Sequence, residues 1–342
     1  MASIKEVAEL AGVSMATVSN VFHDSPKVKD FTKAKVLRAA AEVNYSRPGK
    51  TDNNGNKKSK TIGVIMEDLT VFNTPDIVNA ICRDAKAKGW EALMYNLSLF
   101  KTSGTYHFDE IECIESARNA VTFLLSKEVD GIIYVGCQSR EIKHLSDGYE
   151  KPFVYAYCYS FENHAPSVIY DDRNISYEMT SFLIQKGHEK IGIISGSEGN
   201  AHVQERLIGF QNAIFDAGIL YNPNTVLYGD MDDPDSGYRC IEDLLAHKIT
   251  AVFCMNDVIA GGVYDYALSH GIKIPEQLAV AGFDNQVISS VLYPRLTTVA
   301  LPLDEIGKEA VLQMGKMLQD KNYVCEPNII TLSGKIIYRD SV

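Results

Sequence analysis

The chain has 342 residues, 46% of them apolar and 23% charged. That is the composition of a globular protein with room for two or three domains, and it excludes a disordered or collagen-like chain. The net charge of −11 would argue against a nucleic-acid partner, but it is uneven: residues 1–60 hold 11 Lys/Arg against 6 Asp/Glu (+5), and the remainder 22 against 38 (−16). A small basic head on an acidic body suggests an anion-binding module joined to something else. The opening MASIKEVAEL has no basic start leading into an apolar run, so no secretory leader is expected. No stretch approaches the roughly 18 apolar residues of a membrane span. Seven scattered cysteines without a CxxC pair predict free thiols in a reducing cytoplasm and no zinc site.

The first 45 residues read as three short helices. Ser3 caps the first, with Glu6 as its capping-box partner; Ile4, Val7 and Ala8 form the inner face, with Leu10 beside it. Ala11-Gly12-Val13 makes a tight turn, in which Gly12 supplies the positive φ. Ser14 caps a second helix, Met15–Phe22, whose Val18 and Val21 point back at the first. A third helix, about Asp30–Asn44, turns Val36, Leu37, Ala40 and Val43 inward. This spacing fits a helix-turn-helix, with a generic three-helix bundle as the plainer alternative. The outer face of the second helix favours the former: Ser14, Thr17 and Ser19 are short donors suited to phosphate oxygens, and Met15, Ala16 and Asn20 would point at base edges.

Residues 46–60, SRPGKTDNNGNKKSK, carry no strongly apolar side chain and read as a linker. From residue 61 strands and helices alternate. TIGVIM (61–66) is a buried strand; residues 74–89 form a helix with Ile77, Ala80, Ile81 and Ala85 on one face; EALMYN (91–96) is the next strand. A polar insertion (100–110), a helix through Leu125, and the strands VDGIIYVG (129–136) and KPFVYAY (151–157) follow. The pattern then repeats. KIGII (190–194) echoes KTIGVI (60–65), a helix Glu205–Ala217 echoes 74–89, and TAVFCM (250–255) and KIPEQLAVAGFDN (273–285) supply further strands. A helix Leu303–Leu318 and strands near 328–338 close the chain. The predicted architecture is α/β: an all-α head followed by two doubly wound parallel-sheet lobes. Its boundaries are a head over 1–45, a linker over 46–60, lobe 1 over 61–160 plus 289–320, and lobe 2 over 161–288 plus 321–342. Such a body could also be a nucleotide-fold enzyme. However, no G-x-G-x-x-G follows either first strand, Gly196-Ser197-Glu198-Gly199 is wrongly spaced, and there is no Walker loop. No enzyme activity and no cofactor are expected.

The segment SIKEVAELAGVSMATVSNVF, with Val7-Ala8, Ala11-Gly12-Val13-Ser14 and Thr17-Val18-Ser19, resembles the DNA-binding head of the lactose-repressor/galactose-repressor family. The resemblance continues through VDGIIYVG, GHEKIGIISG (187–196), ERLIGFQNAIFDAGI (205–219), FCMNDVIAGGVYDYALSHGIKIPEQLAVAGFDN (253–285) and PRLTTVALPLDEIG (294–307). It implies a periplasmic-binding-protein-like body that dimerises, binds a small carbohydrate-type effector between its lobes, and alters affinity for a palindromic or near-palindromic operator. Two departures stand out. Asn20 occupies a position where the family usually has Arg, which shifts the expected base preference from guanine towards adenine. Residues 46–60 lack the leucine that family linkers wedge into the minor groove, and Asn53-Asn54-Gly55-Asn56 opposes a helix, so no stable leucine-wedged hinge helix is expected.

The resemblance also implies effector contacts. Arg206, Asn256 and Asp284 match residues that hold ligand oxygens and hydroxyls. A guanidinium, an amide and a carboxylate together suit a polyhydroxylated molecule, although Asn256 and Asp284 could instead cap helices and turns. Phe72 and Asn73 match a first-lobe wall. Tyr157 stands where many members have Asp, in an alternating run with Tyr155 and Tyr159 that would otherwise be core. His202 lies near Asn200 in the loop expected before Arg206, and Met231 falls where an aromatic often stacks on the ligand. A sugar, sugar phosphate or nucleoside-like effector follows. The alternatives are an exported solute-binding protein, for which the leader is missing, and the nucleotide-fold enzyme.

Overall fold

The computed structural model describes residues 3–22, 28–43, 45, 60–99, 111–146, 148–162, 165–231, 233–320, 322–326 and 328–342. The head contains helices α1 (Ile4–Leu10), α2 (Met15–Phe22) and α3 (Asp30–Glu42). Ser3 and Glu6 form the reciprocal capping box at α1, and Gly12 takes φ 58° in the turn. Val7, Ala8, Ala11, Val18, Val21, Val36, Ala39 and Ala40 make the head's own core. Leu10, expected beside the inner face, is 47% exposed; at the last turn of α1 it falls off the buried stripe. The third helix ends at Glu42, two residues before the expected Asn44. The linker expectation, residues 46–60 without a leucine-wedged helix, lies outside the described residues apart from Lys60.

The chain divides into two compact units, residues 1–169 with 303–330 and residues 170–302 with 331–342. In the first unit β1 (Thr61–Met66), α4 (Thr74–Ala87), β2 (Glu91–Asn96), α5 (Ile111–Ser126), β3 (Gly131–Val135), β4 (Phe153–Ala156) and β5 (Ser167–Tyr170) succeed one another. In the second come α6 (Asp172–Gln185), β6 (Ile191–Ser195), α7 (Ala201–Asp216), β7 (Val226–Tyr228), α8 (Pro234–Ala246), β8 (Ala251–Cys254), α9 (Asp257–His270), β9 (Ala279–Asp284), α10 (Val287–Val291) and β10 (Thr297–Ala300). Helix α11 (Leu303–Gln319) returns to the first unit, and β11 (Ile329–Leu332) and β12 (Lys335–Ile337) end the chain.

The two sheets have the same strand order, β11-β5-β4-β3-β1-β2 and β12-β10-β9-β8-β6-β7, so the internal echo in the sequence is a topological repeat. Strands β1 to β4 pair in parallel, as do β6 to β10, and β12 joins β10 antiparallel. Central strands such as TIGVIM and GIIYV are almost wholly buried because helices cover both faces of a parallel sheet. In the second sheet the first strand, β6, lies between β7 and β8. The direction of winding reverses there, and right-handed crossovers put α7 on one face and α8 with α9 on the other. That reversal opens a crevice at the carboxyl ends of β6 and β8.

Helix pairs on these faces approach closely. A Cβ on Gly209 of α7 would collide with the Arg173 carbonyl oxygen of α6. Gly237 of α8 and Gly262 of α9 stand in the same relation to the carbonyls of Ile259 and Pro234.

The expected lobe boundaries need correction by about ten residues at each crossing. Residues 161–169 belong to the first unit because β5 extends its sheet; residues 289–302 belong to the second because β10 pairs with β9; and residues 321–330 return to the first. The run SVIY, at four residues, was too short and too close to the preceding tyrosines to read as a separate strand.

Candidate functional site

In the head, Met15, Ala16 and Asn20 are exposed on α2, Met15 by 54%. Ser14 is also exposed, but its Oγ accepts the Thr17 N–H at 3.1 Å and lies 2.9 Å from Thr17 Oγ1. Ser14 and Thr17 therefore fix the first turn of α2. Ser19 is half-buried. The outward face of α2 thus carries Met15, Ala16 and Asn20, with its start rigidly capped.

In the second unit the polar side chains gather at the carboxyl ends of β8 and β9. Helix α7 begins at Ala201, capped by Asn200, whose Oδ1 accepts from the His202 and Val203 N–H groups. This corrects the expected start at Glu205 and the loop placement of Asn200 and His202. His202 sits in the first turn and Arg206 in the second, four residues apart and so on one helix face. Both are buried.

Arg206 is the centre of the cluster. Its Nε donates to Asp172 Oδ1 at 2.7 Å, its Nη1 to the Met255 carbonyl, and its Nη2 to the Tyr170 hydroxyl at 2.8 Å and to Asp284 Oδ1 at 3.5 Å. The Phe283 ring lies against the guanidinium, 3.7 Å from its centroid. His202 Nδ1 meets Asp172 Oδ2 at 2.6 Å and the Tyr170 hydroxyl at 3.0 Å, and its ring stacks on Tyr170.

Burial and charge compete in this cluster. Burial opposes ionisation of Asp172, but the His202 and Arg206 charges and their hydrogen bonds hold its carboxyl below the usual range. At Asp284 burial prevails and raises the carboxyl, with Arg206 as a partial offset; the 3.5 Å separation is long for a charge-assisted hydrogen bond. Burial also opposes the charge on Arg206, but Tyr170, Asp172 and Asp284 hold it firmly protonated. Asp284 ends β9 with φ 95° and Asn285 follows with φ 51°, a left-handed backbone that non-glycine residues adopt at a cost. Behind this loop Asp257 Oδ2 accepts the Gln286 N–H at 2.6 Å and Oδ1 accepts the Thr298 hydroxyl at 2.6 Å. Burial and the Asp284 charge push the Asp257 carboxyl up to about 8.

Asn256 is the N-cap of α9: its Oδ1 accepts the Ile259 N–H at 2.8 Å, and its Nδ2 donates to the Met231 carbonyl at 2.6 Å. The capping alternative therefore describes Asn256. Met231 is half-buried, packed where a Cβ on Gly196 would stand. In the first unit Phe72 is 40% exposed, while Asn73 is fully buried at the start of α4, with Nδ2 donating to the Gly136 carbonyl at 3.4 Å and Oδ1 unpartnered. Tyr157 is buried with φ 63°, its N–H bonded to the Val168 carbonyl at 2.8 Å.

The structure thus joins His202, Arg206 and Asp284 in one network, and links Asn256 to Met231. Phe72, Asn73 and Tyr157 belong to the first unit. Sequence reasoning missed Asp172, Tyr170, Phe283 and Asp257. The available signal was Asp171-Asp172 directly after the β-branched SVIY run. It also missed a cavity of about 420 Å³ in the first unit, lined in part by Tyr134 and Arg140, both of which donate to the buried Glu67, at 2.8 and 2.5 Å. Among the described residues no group of three or more His, Cys, Asp or Glu side chains is arranged to hold a metal, and no helix is long and apolar enough to cross a membrane.

A DNA-reading head joined to a two-unit body of this topology defines a class of regulators, and comparison with known proteins agrees. Residues 3–48 match the family "Bacterial regulatory proteins, lacI family", and residues 180–342 match "Periplasmic binding protein-like domain". The "HTH-type transcriptional repressor PurR" of Vibrio cholerae serotype O1 is 30% identical over 347 residues, covering 100% of this chain and 98% of that protein. The "HTH-type transcriptional regulator RegA" of Clostridium saccharobutylicum is 32% identical, covering 99% and 98%. The crystal structure of the Escherichia coli transcriptional repressor ascG superposes with a TM-score of 0.68 at 26% identity, covering 83% of this chain and 99% of that one. The chain belongs to the lacI family of bacterial transcriptional regulators.

Proposed function

We propose that this protein is a cytoplasmic repressor that binds a palindromic or near-palindromic operator as a homodimer and changes its hold on DNA when a small hydroxylated molecule binds its body. The observation that carries this reading is the exposed α2 face, Met15, Ala16 and Asn20, held out by the Ser14 cap. Such a face fits the major groove. Ser14, Thr17 and Ser19 are proposed to lie along the phosphates, and Asn20 to favour adenine. His202, Arg206, Asn256, Met231 and Asp284 are proposed as the second unit's effector residues, with Phe72, Asn73 and Tyr157 as the first unit's candidates. The protein binds its effector without turning it over.

The test is a gel-shift with full-length protein on duplexes from its own upstream region and neighbouring genes, against random duplex, across a salt series. A preferred site is expected, with affinity falling steeply as salt rises and lost when Met15 and Asn20 are both changed to Ala. Equal affinity for all duplexes overturns the reading.

A further inference from the structure

The cavity of about 420 Å³ in the first unit is used neither by the DNA-reading face nor by the effector candidates. Helix α5 contributes Cys113, Ile114 and Ala117 to it, β3 contributes Tyr134, and the segment 140–145 forms the facing wall. Phe72, Asn73 and Tyr157 do not line it. Its volume falls in the range of small-molecule pockets, roughly 300–1,000 Å³.

Protein interiors leave few gaps larger than a water molecule, so a hollow of this size persists where its walls are held apart. Here hydrogen bonds hold them. Arg118 of α5 donates through Nε and Nη2 to the His144 carbonyl at 3.0 and 2.9 Å, pinning one end of the 140–145 segment to the helix. The Ile142 N–H donates to the Tyr159 carbonyl at 2.7 Å and the Tyr159 N–H to the Arg140 carbonyl at 3.1 Å, which ties the same segment to the chain after β4. At the sheet, the buried Glu67 accepts from the Tyr134 hydroxyl at 2.8 Å, the Cys137 N–H at 2.7 Å and Arg140 Nη2 at 2.5 Å.

The same ties balance the charge of the walls. Arg140 is matched by Glu67, and Lys143 by Glu141 at 3.2 Å. Arg118 and Glu162 meet at the backbone of His144 with opposite signs. With His144 counted neutral, these six charges sum to zero. Burial pushes the Tyr134 hydroxyl well above its ordinary value, so it too stays neutral. An ion entering this cavity would give up hydration without an unmatched opposite charge to replace it.

The remaining lining is apolar: Ile114, Ala117, Ile142, Leu145 and the Tyr134 ring. The Cys113 thiol adds a soft, polarisable group beside them. Arg140 adds a planar group, pinned to Glu67 at one end and with 18% of its side chain exposed. A guanidinium of this kind stacks on aromatic faces.

We propose that this cavity is a second ligand site, separate from the effector residues, and that it takes a small neutral aromatic molecule clasped between α5 and the 140–145 segment.

The test is thermal shift of the full-length chain at neutral pH with indole, indole-3-acetate and tryptamine, probes of one ring system and different charge, each at about 2 mM, since a molecule that binds the folded state raises the melting point. Indole is expected to raise it, with the anion and the cation each binding about tenfold or more weakly, a gap of about 1.4 kcal/mol. Ala117→Phe, which puts a ring into the cavity, is expected to abolish the indole shift while operator affinity in a gel-shift stays as in the wild type. Should that variant not fold, alkylation of wild-type Cys113 by iodoacetamide, read on its own peptide by mass spectrometry, is expected to slow about fivefold or more with indole and to be unmoved by indole-3-acetate. No shift with indole, a shift kept in a folded Ala117→Phe, or an equal gain from either charged probe overturns the proposal, and so does alkylation of Cys113 indifferent to indole. Each of these outcomes leaves the operator-binding reading standing.

Discussion

Asp172 and Arg206 tie the first residue of α6 to the second turn of α7, Asp172 Oδ1 accepting from Arg206 Nε at 2.7 Å while the other carboxylate oxygen meets His202. One buried carboxylate thus fixes two residues on the same face of α7, and its loss or the loss of its partner leaves charge without compensation.

Arg206→Ala is expected to destabilise the protein by about 3–5 kcal/mol, because it strands Asp172 and Asp284 in a buried setting. Chemical denaturation followed by circular dichroism measures this. A loss below about 1 kcal/mol would mean that water already reaches the cluster.

Asp257 gives stability a pH dependence. Its folded value of about 8 lies above the unfolded carboxylate value of about 3.9. The folded state therefore holds a proton that the unfolded state has released. This group's stabilisation is complete below about pH 4 and is lost as pH rises towards 8, at up to roughly 1.4 kcal/mol per pH unit. Asp172, held below its usual range, contributes the opposite slope only at acid pH. Between pH 6 and 8 the melting point of Asp257→Asn should depend on pH less steeply than that of the wild type; equal slopes would contradict the assignment.

Ser14→Asp separates a cap from a phosphate contact. Asp caps a helix as well as Ser, so α2 should remain folded, but its charge faces the proposed phosphate path. Circular dichroism should be unchanged while operator affinity falls by about 1 kcal/mol or more. Unaltered affinity would move Ser14 off the phosphates.

Asn20→Arg should redirect base preference from adenine towards guanine at one position of each half-site, worth about 1–3 kcal/mol. Selection from a randomised duplex pool reads this directly. An identical selected site for both proteins would remove Asn20 from base recognition.

Gly209→Ala is expected to cost about 1–3 kcal/mol through overpacking against the Arg173 carbonyl. A melting point matching the wild type would show that the α6–α7 contact yields.

The head and the strand-helix alternation were legible because they depend on local signals: Ser3 with Glu6, Gly12, Ser14, and unbroken apolar runs such as TIGVIM. The helix faces were legible too, since Ile77, Ala80, Ile81 and Ala85 are all buried as their spacing predicts. The lobe boundaries were less so. Short strands such as β5 and β10 are defined by their partners, and pairing is not written in four residues. In the cluster, Arg206 and Asp284 were legible through the family likeness, which marks each as an effector residue without joining them to each other. The role of Asp172 was not, because it depends on two helices meeting 34 residues apart in sequence. His202 was placed in a loop because the Asn200 cap was not recognised as one. Once α7 starts at Ala201, His202 and Arg206 fall four apart on one stripe.

The notch at Gly209 has a mechanical consequence. With the backbone of α6 seated against α7 at Gly209 and Asp172 joined to Arg206, a shift of either helix disturbs two contacts with the other, so α6 and α7 are braced to move together.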